Sequence, residues 1–291
     1  MALSRNFKRF TSKALRQPGY AAAVAAKRSL AWFYYTFGNG RSSPPEAITL
    51  FLTHRCNLRC RMCGQWGEGG VTKKASSRYI GEELSVRQIK SFVDEVAAFK
   101  PNMTLFGGEP LLYPGALDII RHIKTRGLHC LVITNGFLLE ETGRALVDIG
   151  LDELNVSLDG GETVHDDIRG MPGLFRKIMA GLKVVHLEKT ARGLKKPLVN
   201  IQCAVTKYNC AHLEEMAAVA EEALADSVTF HNLIFTDRPT LERQRSVDER
   251  LKASSGDWEG FAFEPGIDPD LLYEKMRGIL SGDNRFAVDF Y

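Results

Sequence analysis

The sequence predicts an α/β fold, with helices outside a parallel sheet that is either open and doubly wound or curled into a barrel of incomplete closure. Three observations carry this reading. From residue 47 onward, short apolar runs alternate with helical patterns through six strand–helix repeats. The connections between runs are long enough for right-handed crossovers, which parallel pairing needs. Polar motifs follow successive strands, at the end of such sheets where chemistry gathers.

In order, residues 47–53 read as the first strand, 85–99 as a helix, and 103–106 as a second strand ending in Gly107-Gly108. Residues 115–126 are helical, 129–134 form a strand and 138–149 a helix. Residues 154–158 make the fourth strand, closed by Asp159-Gly160, and are followed by a helix over 174–189. A strand over 199–205, a helix over 213–224 and a strand over 227–231 complete the array. Residues 236–266 are polar, with a charge-rich run from 236 to 250, and read as a long surface excursion. Residues 268–280 read as one more helix, and the apolar run 286–291 as the entry to another element. The chain thus divides into a basic extension 1–46, the βα array 47–235, and a segment 236–291 leading toward a further module.

Composition excludes several classes. With 291 residues, 44% hydrophobic and 25% charged, the chain is neither disordered nor fibrous. The net charge of +3 conceals an asymmetry, because residues 1–46 hold eight Lys/Arg against the single acid Glu46. The body is slightly acidic, which argues against a nucleic-acid partner. Six cysteines are too few for a disulfide scaffold, and three of them fall within eight residues, which suits a metal in a reducing, cytoplasmic setting. No apolar stretch approaches the ~20 residues of a membrane span. Within residues 1–37, Phe7, Phe10, Ala14 and Leu15 recur at helical spacing, Lys8, Arg9, Lys13 and Arg16 occupy other faces, and an aromatic cluster follows over 32–37. Two expectations attach to this pattern: weak peripheral contact with a membrane surface, or a helix packed across the open bottom of the barrel with Pro18-Gly19 as a break.

The chemistry-bearing residues begin with Cys56, Cys60 and Cys63, directly after the first strand. Three thiolates suit a four-iron cluster with one iron left open for an exogenous ligand. The alternative is tetrahedral zinc, for which His54 supplies the fourth ligand. Gly107-Gly108-Glu109-Pro110 ends the second strand, where two glycines permit close approach of a ligand and Glu109 can accept from an ammonium group. Thr134-Asn135-Gly136 ends the third, and Ser157-Leu158-Asp159-Gly160 the fourth. Period-two alternation sets Asn155, Ser157 and Asp159 on a cavity face, and Leu154, Val156 and Leu158 against the helices. By the same parity Asn200 and Gln202 face the cavity while Cys203 faces the helices. His231, ending the sixth strand, reads either as a group placed to move a proton or as a satisfied hydrogen-bonding histidine. Cys130, Cys203 and Cys210 read as packed thiols.

Together these motifs resemble the radical S-adenosylmethionine (radical SAM) superfamily over about residues 47–235. The resemblance implies a partial (βα)6 barrel of parallel strands with the helices outside. It implies that Cys56, Cys60 and Cys63 hold a [4Fe-4S] cluster whose open iron is chelated by S-adenosylmethionine. An electron from a donor such as flavodoxin or ferredoxin would cleave S-adenosylmethionine to a 5′-deoxyadenosyl radical, which abstracts hydrogen from a substrate. Carried over by motif, Gly107, Gly108 and Glu109 meet the methionine ammonium, and Thr134, Ser157 and Asp159 belong to the polar lining around S-adenosylmethionine. Arg169 pairs with its carboxylate, and Met62 packs on adenine. Phe106 stands where relatives often place a polar residue. The His165-Asp166-x-x-Arg169-Gly170 segment is similar to the branch that often carries a C-terminal cluster extension called SPASM, and so points to a peptide or protein substrate. The alternatives are a lipid or small-metabolite substrate, and a non-catalytic metal- or S-adenosylmethionine-binding module.

Overall fold

The computed structural model describes residues 17–282 and 284–290. Among them, seven parallel strands form one sheet: β1 (Ala47–Phe51), β2 (Asn102–Phe106), β3 (Cys130–Thr134), β4 (Glu153–Ser157), β5 (Leu198–Val205), β6 (Ser227–Asn232) and β7 (Ala287–Phe290). Their spatial order is their chain order. A doubly wound sheet reverses order at a switch point, and the absence of any reversal assigns this sheet to the curled, partial-barrel class. β1 pairs with β2 and β7 with β6, and the two outer strands are not joined to each other.

Within the apolar run read as the entry to another element, residues 287–290 form a seventh strand: Ser227 to Phe230 pair in register with Ala287 to Phe290, and the rings of Phe230 and Phe290 stack at 4.4 Å. The apolar signal was sound, but nothing local distinguishes a strand that joins an existing sheet from one that starts another.

The helices follow from caps and apolar spacing. α1 (Pro18–Phe37) precedes the sheet, and α2 (Ser77–Gly81) and α3 (Val86–Val96) link β1 to β2. In α3, Ser85 and Gln88 form a reciprocal capping box, and Ile89, Val93 and Val96 recur on one buried face. α4 (Ala116–Thr125) and α5 (Leu139–Ile149) flank β3; α6 (Glu162–Arg169) and α7 (Leu174–Ala191) link β4 to β5. α8 (Glu215–Glu222) leads to β6, and α9 (Arg238–Leu251) and α10 (Pro269–Ser281) lie between β6 and β7. α9 takes up the first half of the expected surface excursion. It has no buried residue and hence no apolar stripe to read, but Asp237 caps it by accepting from the Thr240 amide at 2.6 Å, with a proline in the first turn.

Strand alternation divides the two faces as the sequence reading required. Met103, Leu105, Val132, Leu154, Val156, Ile201 and Cys203 are buried in the core they share with Ile119, Ile120 and Ile123 of α4, Leu146 of α5 and Ile178 of α7. Each such side chain contributes about 1.5–3 kcal/mol when fully buried. Asn155, Ser157, Asn200, Gln202 and His231 are half-buried on the opposite face.

The start of α1 closes the bottom of the barrel. Tyr20 stacks on His129 at 4.2 Å, Ala21 is buried, and Gln17 Nε2 donates to Glu153 Oε1 at 3.4 Å. Pro18 sits in the helix's first turn, where its missing N–H costs nothing. Residues 7–16, on which the amphipathic pattern rested, lie outside the described residues. Among those described, no helix is long and apolar enough to cross a membrane. Replacing Ile120, fully buried in α4, with alanine is expected to cost about 2–5 kcal/mol in urea unfolding. Tyr35→Ala, at a site 90% exposed, is expected to stay within about 0.5 kcal/mol.

Candidate metal centre

The loop after β1 brings three thiols to the C-terminal end of the sheet. Cys60 is buried, and Cys56 and Cys63 are half-buried. Each sulfur faces its own donor: the Leu58 amide at 3.5 Å and Asn135 Nδ2 at 3.9 Å for Cys56, Arg169 Nη1 at 3.8 Å for Cys60, and the Trp66 amide at 3.3 Å for Cys63. Burial pushes the Cys56 thiol up to about 11, and Cys60, Glu109 and Cys63 push the same way. Burial likewise raises Cys60, with Cys63 adding to it. Loading a metal must therefore displace protons from these thiols. The zinc alternative finds no support, for His54 has its ring against Phe51 and Tyr79. Among the described residues, moreover, no three Cys, His, Asp or Glu side chains gather around one point as a single ion requires. A cluster takes each thiolate on a separate iron and needs no such convergence.

Gly107 and Gly108 let two backbones meet closely. Gly107 has φ +149°, and a Cβ there would stand 2.7 Å from the Thr53 carbonyl; one on Gly108 would overlap the Arg55 carbonyl. The amides of Gly108 and Glu109 donate to those two carbonyls at 2.8 Å each. These amides are thus spent on the start of the Cys loop rather than held out to a ligand. Glu109, fully buried, accepts from the Leu111 amide, Thr134 Oγ1 and the Asn135 amide at 3.0, 2.8 and 2.7 Å. Burial raises its carboxyl to about 6, against these donors. Three of the roughly four acceptor positions of a carboxylate are thereby filled. Thr134 is corrected from ligand contact to brace: its register partner is the core residue Val156, so parity turns it away from the cavity. The neighbour passed over in that motif, Asn135, is the one that reaches Cys56.

Asp159 and Arg169 form a buried pair rather than two open ligand contacts. Arg169 Nε donates to Asp159 Oδ2 at 2.6 Å while its Nη1 faces Cys60, and Asp159 Oδ1 accepts the Ala204 amide at 3.0 Å. Burial works against the Arg169 cation, yet Asp159 and Cys60 outweigh it and raise its pKa. Asp159 lies two residues beyond the regular strand, where alternation no longer dictates facing. His165 Nδ1 accepts the Asp159 amide at 3.2 Å, and burial holds this imidazole down to about 4. The C-terminal end of α6 is joined to the Cys loop by a bond from the Arg61 amide to the Ile168 carbonyl at 2.9 Å.

A cavity of about 570 Å³ opens beside the loop, with Met62 and Cys63 in its wall. Arg61 and residues 68–74 continue that wall, and the other walls come from residues 206–208 and 233–265. Gly64 lies under Phe261, whose ring stands 2.5 Å from where a Cβ would be, so the expected surface excursion instead roofs the Cys loop. Asn200, Gln202 and His231 do not line this cavity. Asn200 bonds to Glu153, Asn155 and Ser227, and Gln202 to His231, in a polar network within the sheet's inner face. Ser157 is half-buried on that face, and Phe106 meets Phe51 edge-on at 5.9 Å, which makes an aromatic wall of the position where a polar residue was expected.

The model of the family described as the radical SAM superfamily matches residues 50–192. An AdoMet-dependent heme synthase from Methanosarcina barkeri is 34% identical over 75% of this chain and 57% of its own length. The chain belongs to the radical SAM superfamily. A probable GTP 3′,8-cyclase from Metallosphaera sedula is 29% identical over 72% of the chain and 63% of that relative, so the chain spans less than two thirds of either. Among solved structures, SuiB from Streptococcus suis bound to S-adenosylmethionine superposes with a TM-score of 0.61 at 13% identity, covering 86% of this chain and 51% of SuiB, a likeness of fold. Radical SAM proteins use a [4Fe-4S] cluster and S-adenosylmethionine. The donor set fits that cluster: three thiols, a separate N–H for each sulfur and, among the described residues, no group of metal-binding side chains that would close the site around a single ion.

Groups that donate to metal-bound thiolates are worth about 10–100-fold in affinity. Asn135→Ala and Arg169→Gln are accordingly expected to lower cluster retention by about that factor, measured as iron lost to a chelator over time. The buried imidazole sets an acid limit. Because His165 falls from 6.5 to about 4 on folding, its contribution is complete above pH 6.5 and is lost as pH falls toward 4, about 3 kcal/mol in all. His165→Gln should flatten the loss of metal-free stability across that window, read from urea midpoints.

Proposed function

We propose that this chain is a radical SAM enzyme that cleaves S-adenosylmethionine reductively and acts on a small organic molecule. The carrying observation is that Met62 and Cys63 of the three-thiol loop form part of the wall of the 570 Å³ cavity. A substrate held there lies beside the metal centre. When bound, the cluster and S-adenosylmethionine supply, with one electron from a donor such as flavodoxin or ferredoxin, a 5′-deoxyadenosyl radical that takes a hydrogen atom from a substrate C–H bond.

The chain's own residues supply position and shielding. Asn135, Arg169 and the Trp66 amide orient the three sulfurs, Glu109 keeps one acceptor position for the ammonium group, and Met62 offers an apolar contact. The roof over residues 256–261 limits water at the loop. The cavity volume falls within the ~300–1,000 Å³ of small-molecule sites. The peptide reading rested on His165 to Gly170, and there His165 and Arg169 are buried in the support of Asp159 and Cys60. The two sequence relatives are named for heme synthesis and for cyclising GTP, both small molecules.

After anaerobic reconstitution and reduction with dithionite, the protein is expected to convert S-adenosylmethionine to 5′-deoxyadenosine, followed by chromatography. Cys56→Ala, Cys60→Ala and Cys63→Ala should each lose the cluster absorbance and bring product to background, because two thiolates do not hold the cluster. Cys203→Ala should keep about four irons per chain. Binding of S-adenosylmethionine without any cleavage would make the chain a binding module and overturn the enzymatic reading.

A further inference from the structure

α1 is packed at one end and bare at the other. Gln17, Tyr20 and Ala21 meet the strand starts, whereas eight of the nine residues from 29 to 37 are exposed. The bare part is apolar: Leu30 is 45% exposed, Trp32 63%, Phe33 51%, Tyr35 90% and Phe37 62%. Three of these side chains form a cluster, with the ring centroids of Trp32 and Phe33 at 6.2 and 5.4 Å from that of Phe37. At 3.6 residues per turn, Leu30, Phe33 and Phe37 lie on one side of the helix and Trp32 and Tyr35 on the other. An apolar tip wetted all round calls for an apolar surrounding rather than one flat contact.

Charge identifies that surrounding. The eight Lys/Arg of residues 1–46 face a single acid, Glu46, and Arg28 neutralises it through two bonds at 3.0 and 3.1 Å. Trp and Tyr settle at the level of lipid headgroups, and basic residues are drawn to an anionic bilayer. We infer that the Trp32–Phe37 end of α1 inserts into the headgroup region of an anionic membrane, with the basic N-terminal stretch supplying the attraction. Since α1 packs on the strand starts, the Cys loop and its cavity stand at the far end of the sheet from that contact.

The intact reconstituted protein is expected to cosediment with phosphatidylcholine vesicles containing phosphatidylglycerol at low ionic strength, and to come off as salt rises. Two triple variants, Trp32→Ser with Phe33→Ser and Phe37→Ser, and Lys8→Gln with Arg9→Gln and Lys13→Gln, should each bind at least about tenfold more weakly. Their iron content and thermal midpoint should be unchanged, since the aromatic sites are exposed. No cosedimentation of the intact protein, or equal binding by the aromatic variant, overturns the inference. So does a dimer in solution that the aromatic substitutions dissociate, since a second copy would then be what covers the tip.

Discussion

Everything at the metal end of this protein depends on how closely the exit of β2 can approach the loop that follows β1. The approach is backbone to backbone, through the Gly108 and Glu109 amides on the Thr53 and Arg55 carbonyls, and any side chain at the two preceding glycine positions would intrude on it. That contact delivers Glu109 beneath the loop. Glu109 then gathers the exit of β3, holding Thr134 and Asn135, and Asn135 in turn reaches Cys56 and Asn57. Two missing methyl groups thus fix a chain of contacts that runs across three strand ends to a sulfur.

Electrostatics governs the other side of the loop. Three thiolates would concentrate negative charge in a poorly hydrated place, and isolated buried charge is costly. Arg169 is the cation carried there, and Asp159 aligns its guanidinium while the Ala204 amide and the Asn209 side chain hold Asp159 in turn. A buried ion pair of this kind adds little to stability by itself. Its use lies in fixing a fork of donors against Cys60, which a lysine with its single point charge would not reproduce.

Much of this was legible in the sequence, for physical reasons. Parallel order and strand parity are local properties, so the βα array and the inward Asn155 and Ser157 could be read from residue types. The roles of Thr134, Asp159 and Arg169 could not, because each depends on a partner 10 to 109 residues away. A motif shows that a polar group sits at a strand end, but not whether it turns toward a ligand or toward another motif. α9 escaped for the opposite reason: with no buried face it carries no periodicity, and only the Asp237 cap and the proline after it announce a helix. The cavity wall was missed with it.

That wall divides the protein into two territories of different tolerance. The sulfurs and their donors draw on β1 to β4 and α6, while the surface opposite them is built largely from residues 206–208 and 233–265. Substitutions in α9, none of whose side chains is needed in the core, can reshape the cavity without disturbing a sulfur, an amide donor or the glycine contact. The α9 part of the wall can therefore vary while the three thiols and their donors stay in place, whereas residues 256–261, packed on Gly64 of the Cys loop, are tied to it.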